Sequence, residues 1–83
     1  MERKVLDKNP SDSVINLRRM AAEYFQKAAW NQLLALENYL KNNFLAAERF
    51  AQLSFDDQMN GVEYAELADA ESLQFLDLNI EEE

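Results

Sequence analysis

The sequence predicts an all-α protein, a small bundle of two or three helices in which a helical hairpin is followed by a short acidic C-terminal helix. Gly and Pro occur once each in 83 residues, and a β-rich domain would need more of both in its turns. Ala, Leu, Glu and Gln, which favour helix, are abundant instead. Apolar residues recur at spacings of three and four through the centre of the chain, which is the period of an amphipathic helix.

The length of the chain allows one domain at most. We place this domain at residues 11–76, between a flexible N-terminal arm at 1–10 and an acidic extended tail at 77–83. A chain this short buries a small share of its surface, so it needs good helix packing, self-association or a partner. Cys and His are absent, which argues against disulfides and a classical zinc site. We expect no metal and no cofactor.

The first helix is expected to begin between residues 11 and 13. Pro10 disfavours helical backbone at the residue before it, and the Ser-Asp-Ser run that follows offers good N-caps. Asp12 also suits the positive end of the helix dipole. From there the apolar residues form two neighbouring lines, Leu17, Ala21, Tyr24 and Ala28 in one and Phe25, Ala29, Leu33, Leu36 and Leu40 in the other.

Charged and aromatic side chains of this region follow the same period. Most aromatic residues between 24 and 55 are expected in the core, whereas Trp30 stands beside the apolar stripe and is expected to be a partly exposed interface anchor. Residues of opposite charge stand four apart, where they can pair on a solvated face: Arg19 with Glu23, Glu23 with Lys27, and Glu37 with Lys41.

The run Lys41-Asn42-Asn43 is where the first helix is expected to end. Asn is a mediocre helix former and suits the left-handed position that often ends a helix. Apolar residues resume at Phe44, so a second helix would begin there and fold back. The alternative is one helix that continues to about Leu53, which makes about 40 residues and a length near 60 Å and is unusual for so small a chain.

The stretch "FDDQMNGVEYAE" at residues 55–66 contains two aspartates, two amides and the only glycine, which suits a calcium loop or a helix junction. Counted from Asp56, Gly61 falls at the sixth position of an EF-hand loop, where glycine belongs. The twelfth position should carry a bidentate Glu and is Leu67. The sequence therefore predicts a helix junction, with Ser54 as the N-cap of a new turn and Asn60-Gly61 as a stop.

The last segment of the chain changes its period. Residues 62–76 predict a final acidic helix, whereas Leu76, Leu78 and Ile80 alternate with polar residues, as in an extended strand. The run "LDLNI" resembles the leucine-alternating docking peptides that recruit transcriptional corepressors. This resemblance implies that the tail contacts a protein.

Charge is distributed unevenly along the chain. Residues 1–49 hold eight Lys and Arg against six acids, whereas residues 50–83 hold ten acids and no base. A solubilising tail is one explanation, and a surface that attracts a basic partner is the other. Direct nucleic-acid binding is not expected because the acidic half would repel phosphate.

No apolar run is long enough to predict a membrane span, and we expect a cytoplasmic protein.

Function is expected to lie in protein binding and not in catalysis, since His, Cys and a Gly-rich phosphate loop are absent. We expect an inhibitor or regulator that binds a protein with a basic surface, its carboxylates imitating the phosphates of nucleic acid. The alternative is a structural or self-assembling subunit, a homo-oligomer whose acids serve solubility. The residues expected to contact the partner are Trp30, Asp56, Asp57, Glu63, Glu66, Asp69, Phe75, Leu76, Leu78 and Ile80.

Overall fold

Two long helices form an antiparallel hairpin in this computed structural model, which describes the backbone of residues 11–82 and the side chains of residues 11–73. Helix α1 spans Asp12–Leu40 and helix α2 spans Phe44–Glu82. The Cα trace measures 64 × 16 × 14 Å, so the hairpin is a rod two helices wide. The predicted all-α class and the hairpin are confirmed.

The C-terminal part of the chain differs from the prediction. Helix α2 runs without interruption from Phe44 to Glu82, so there is no separate third helix after Gly61. Residues 77–82, for which alternating apolar side chains predicted extended backbone, are helical. The N-terminal arm at 1–10 and residue 83 lie outside the described residues.

Helix α1 begins at Asp12, within the predicted range of residues 11 to 13. Ser11 has extended backbone (φ −71°, ψ 159°), and its Oγ accepts a hydrogen bond from the backbone N–H of Val14 at 3.1 Å. Asp12 lies in the first turn, where its negative charge faces the positive end of the helix dipole. The start of the helix is therefore determined locally, by side chains within the first turn.

The connection at residues 41–43 closes the hairpin with a Schellman motif. Asn42 has a left-handed φ of 66°. Its N–H donates to the carbonyl of Tyr39 at 3.0 Å, and the N–H of Asn43 donates to the carbonyl of Asn38 at 2.8 Å. These bonds satisfy carbonyls that the end of α1 would otherwise leave free. The predicted break at 41–43 is confirmed, and the alternative of one continuous helix is excluded.

Replacing Asn42 with Gly should raise the free energy of unfolding by about 0.5–1 kcal/mol, because glycine adopts the left-handed conformation without steric cost. Urea unfolding followed by circular dichroism measures the change. The same substitution at Asn43, whose carbonyl accepts from Ala47 as the N-cap of α2, should not stabilise the hairpin. A lower urea midpoint for Asn42→Gly would show that the Asn42 side chain contributes more than its backbone strain costs.

The two helices contact each other through small residues that recur every seven positions. A seven-residue period keeps one strip of each helix against its partner, and small side chains let the two backbones approach closely. No large side chain among residues 11–73 is fully buried. We call this contact the small-residue seam, and its buried members are Val14, Ala21, Ala28 and Ala35 on α1 and Ala47, Ser54, Gly61 and Ala68 on α2.

Ser54 belongs to the small-residue seam and does not cap a new turn. It lies within α2 and is buried, and its Oγ donates a hydrogen bond to the carbonyl of Ala28 at 2.7 Å. The predicted capping role is wrong because helix α2 is continuous at this point, and the hydroxyl finds its partner on the facing helix.

Gly61 also has a different role from the predicted stop. It is helical, buried and without positive φ. A Cβ atom at this position would lie 2.7 Å from Cε1 and 2.8 Å from Cδ1 of Phe25. The aromatic ring of Phe25 on α1 therefore lies directly on the backbone of α2. The absence of a side chain at Gly61 leaves the space that this ring occupies.

The aromatic core that the sequence predicted is not present within the hairpin. Phe25, Tyr39, Phe44 and Phe55 are between 38 and 58 % exposed, and Tyr24 and Phe50 are half-buried. The reason is geometric, since the small-residue seam occupies the line of closest approach. Large side chains on either side of this line flank the contact and remain open to solvent.

The charged pairs predicted along α1 are not formed, and two of their cations make other contacts. Among residues 11–73, none of the three predicted pairs comes within ion-pair distance. Arg19 instead donates to the side chain of Asn16 at 2.6 Å, and the ammonium of Lys27 lies 5.1 Å from the ring centre of Tyr24. Arg18 forms an ion pair with Asp69 of α2 at 2.9 Å, with both side chains largely exposed, so a cation of α1 contacts an acid of the facing helix.

Candidate protein-binding face

Two polar contacts mark the ends of one side of the hairpin. At one end, Arg18 Nη2 lies 2.9 Å from Asp69 Oδ1. At the other, the Tyr39 hydroxyl donates to Glu48 Oε2 at 2.6 Å. Residues 18 and 39 are three heptads apart on α1, as residues 48 and 69 are on α2. A whole number of heptads returns to the same side of a coiled helix, so both contacts lie on one side.

Between these ends the same side of the hairpin carries no charge. The heptad steps from Arg18 to Tyr39 pass through Phe25 and Gln32, and those from Glu48 to Asp69 pass through Phe55 and Val62. The next row of positions on each helix, at Ala22, Ala29 and Leu36 on α1 and at Ala51, Gln58 and Ala65 on α2, is also uncharged. We call this surface the charge-free face, and it consists of Ala22, Phe25, Ala29, Gln32 and Leu36 on α1 and Ala51, Phe55, Gln58, Val62 and Ala65 on α2.

Several large apolar side chains of the charge-free face are open to solvent. Phe25 is 40 % exposed, Leu36 is 53 % exposed and Phe55 is 56 % exposed. Near the loop end, a groove of about 450 Å³ is lined by Gln32, Leu33, Ala35, Leu36, Tyr39 and Ala51. Exposed apolar patches with a polar rim mark interaction surfaces in soluble proteins.

The hydrogen bond between Tyr39 and Glu48 responds to pH. The bond to Glu48 raises the pKa of the Tyr39 hydroxyl above its ordinary value, with smaller contributions from burial and from the carboxylate charge. Because the pKa is higher in the folded chain, the bond contributes to stability below the ordinary tyrosine pKa of about 10. This contribution is lost as the pH rises through the raised pKa.

The opposite side of the hairpin is mixed in character. The rings of Tyr24 and Tyr64 stack across the helices with centroids 5.7 Å apart and planes 7° from parallel. The amide of Asn31 donates to Asp57 Oδ2 at 2.9 Å, and Lys27 lies against Tyr24. Charged and polar groups are thus interleaved with the apolar ones along this side, unlike the charge-free face.

The predicted acidic site residues divide into two groups. Asp57 and Asp69 are engaged in contacts between the helices, with Asn31 and Arg18. Asp56, Glu63 and Glu66 are exposed, and within residues 11–73 no Lys or Arg forms an ion pair with them. Position 63 follows the seam residue Gly61 by two, which turns it about 200° away from α1. We call Asp56, Glu63 and Glu66 the acidic edge.

The other predicted site residues do not join the acidic edge. Trp30 is 62 % exposed and follows the seam residue Ala28 by two, so it faces away from α2. It borders a groove of about 360 Å³ whose other lining residues are Glu23, Gln26, Lys27 and Asn31. The structure therefore places Trp30 and the acidic edge on opposite sides of the hairpin. The backbones of Phe75, Leu76, Leu78 and Ile80 belong to α2, and their side chains lie outside the described part.

The charge-free face is the surface that the sequence analysis missed. The signal was present as the heptad recurrence of small residues, Ala21, Ala28 and Ala35 on one helix and positions 47, 54, 61 and 68 on the other. Once this strip is recognised as the contact between helices, the large side chains beside it must point elsewhere. Phe25, Leu36 and Phe55 could have been selected in this way.

No protein-family model, curated protein or solved structure matches this chain. Within the described residues, no helix is long and apolar enough to cross a membrane. The same residues contain no group of three or more Asp or Glu side chains arranged to hold a metal ion.

Proposed function

We propose that this chain is a protein–protein interaction module, without a catalytic role, that regulates or inhibits a partner with a basic surface. One observation carries the proposal. The two helices contact each other through Ala, Ser and Gly, and they leave large apolar side chains such as Phe25, Leu36 and Phe55 exposed. This arrangement leaves these apolar side chains available to contact another molecule.

The energetics of burial support a binding role. Moving a Leu or Phe side chain out of water contributes about 1.5–3 kcal/mol when it becomes fully buried. Phe25, Leu36 and Phe55 retain 40 to 56 % of their exposure in the hairpin, so much of that free energy is still available. A second protein surface that covers these side chains would recover it.

The acidic edge supports a basic partner. Among the described residues no Lys or Arg forms an ion pair with Asp56, Glu63 or Glu66, and Asp56 accepts only a neutral hydrogen bond, from Gln52 at 3.1 Å, so the field of these carboxylates extends into solvent. A row of unpaired carboxylates resembles the phosphates that a nucleic-acid-binding protein recognises. Such a field speeds the association of a cationic protein more than it tightens the final complex.

Changing Glu63 and Glu66 together to Gln should slow association with the partner about fivefold at low salt and change its dissociation little. The partner is first captured from the native host with the tagged chain at low and moderate salt, and identified by mass spectrometry. The purified partner is then immobilised, and association and dissociation rates are measured by biolayer interferometry.

A matched control neutralises two acids elsewhere on the surface. Glu23 and Glu37 lie on the exposed side of α1, and changing both to Gln alters the net charge equally. This control should leave the association rate within about twofold of the unmodified chain if location matters and not only net charge. Equal slowing by the two double variants, or no slowing by Glu63→Gln with Glu66→Gln, would contradict an acidic binding surface.

A further inference from the structure

We infer that the charge-free face is covered by a second copy of this chain, giving an antiparallel four-helix bundle in which α1 of each copy packs on α2 of the other. The inference rests on the proposed interaction role, because it names the occupant of one exposed surface. The acidic edge faces away from this contact and stays accessible in the dimer.

Charge selects the charge-free face as the contact between two copies. Each chain carries a net charge of −8, so two copies repel one another over most of their surface. The charge-free face, which lies between the Arg18–Asp69 pair and the Tyr39–Glu48 pair, contains no ionisable side chain. Two copies can therefore meet there without burying an unpaired charge, which is strongly destabilising.

The charge difference between the helices selects the orientation. Helix α1 contains three bases and three acids, whereas α2 contains one base and ten acids. Placing α1 on the partner's α2 separates the two acidic helices and brings Arg18 beside the partner's Asp69. The alternative places α2 on the partner's α2, so that Glu48 approaches the partner's Asp69 and two strongly acidic helices lie in contact. Like charges brought together in this way are destabilising.

The sizes of the side chains fit the same orientation. The polar contacts at both ends fix the register, with residue 18 level with 69 and residue 39 level with 48. By the same register Leu36 is level with Ala51, and Ala29 with Gln58. In the proposed dimer Leu36 thus stands over the partner's Ala51, which lines the groove of about 450 Å³. A large side chain over a small one fills space efficiently in a helix bundle.

Sedimentation equilibrium of the full chain should give twice the monomer mass of 9.7 kDa at micromolar concentration. Replacing Phe55 with Lys puts a charge at the centre of the contact and should raise the dimer dissociation constant at least 100-fold. Phe55 is more than half exposed in the hairpin, so the helical circular dichroism signal should persist. Leu53→Lys, which places the same charge on the opposite side of α2, should remain dimeric.

Cross-linking tests the orientation directly, since the chain has no Cys of its own. A mixture of Ala29→Cys and Gln58→Cys chains should form mixed disulfide dimers under mild oxidation, because α1 lies on the partner's α2 at this level. The Ala29→Cys chain alone should cross-link slowly, because the two copies of α1 are diagonal in the bundle. The alternative orientation, with α2 packed on the partner's α2, reverses both results because it places Ala29 against the partner's Ala29.

The inference is overturned if the unmodified chain is a monomer across the micromolar range, or if Phe55→Lys leaves the oligomer intact. Rapid cross-linking of the Ala29→Cys chain with itself would also overturn it. These failures are separate from failure of the proposed function. A monomer whose association with a basic partner still depends on Glu63 and Glu66 keeps the proposed function and removes the dimer. A dimer that lacks this dependence keeps the self-association and removes the acidic binding surface.

Discussion

Replacing Ala68 with Leu is expected to lower the free energy of unfolding by about 2–3 kcal/mol, since the added methyl groups have no space in the small-residue seam. Ala68 has 0 % exposure, and it belongs to the small-residue seam, where α2 packs against α1. Leucine must either force α1 away or adopt a strained rotamer, and both weaken the neighbouring contact between Arg18 and Asp69. Urea unfolding at one fixed protein concentration measures the loss.

Ala70 provides the matched control for this substitution. It lies two residues along the same helix and is exposed, so Ala70→Leu adds the same side chain with nearly the same helix propensity. The control should change the free energy of unfolding by less than about 0.5 kcal/mol. Similar losses at both positions would mean that the small-residue seam is not the contact that holds the hairpin together.

Replacing Gly61 with Leu is expected to cost about 3 kcal/mol, although leucine is a better helix former than glycine by nearly 1 kcal/mol. Even a Cβ atom at this position would come within 2.7 Å of the Phe25 ring. The ring must swing outward, and the remaining atoms of the leucine must find space at a buried position of the small-residue seam. The steric cost exceeds the gain in propensity because the seam allows no separation of the helices without loss of its other contacts.

A double-mutant cycle with Phe25→Ala identifies the origin of this cost. When the ring is absent, Gly61→Leu should cost at least about 1 kcal/mol less than it does in the unmodified chain, which is the coupling expected of two groups in contact. Asn60→Leu, at an exposed neighbouring position, serves as the control and should be nearly neutral. Additive effects of Gly61→Leu and Phe25→Ala would contradict a direct contact between the two positions.

Local features of the helices were predictable because short-range chemistry determines them. Ser11 accepts a bond from an N–H three residues away, and Asn42 takes a left-handed φ that few other residues tolerate. Both effects act within one turn, so the start of α1 and the break before Phe44 follow from the residues themselves. Asn60-Gly61 gave a similar local signal, yet α2 continues through it. There the packing of Phe25 on Gly61 outweighs the weak helix propensity of both residues.

The acidic residues show how far the candidate site could be predicted from the sequence. The sequence pattern predicted one acidic surface, because no base separates its five acids along the chain. These acids are Asp56, Asp57, Glu63, Glu66 and Asp69. The structure divides them, since Asp57 and Asp69 meet Asn31 and Arg18 of the facing helix. Such contacts depend on the register between the two helices. The periodicity of residues along one helix does not specify that register.

The sequence by itself determined the all-α class, the absence of disulfides, the cap at Ser11 and the turn at residues 41–43, because propensity and capping act over a few residues. Only the tertiary structure decided which side of each broad apolar face lies inside. Small and large apolar side chains are nearly equivalent in a hydrophobic pattern, but they differ in how closely they let two backbones approach. The Ala, Ser and Gly strip therefore became the contact between the helices, and Phe25, Leu36 and Phe55 were left exposed on the surface.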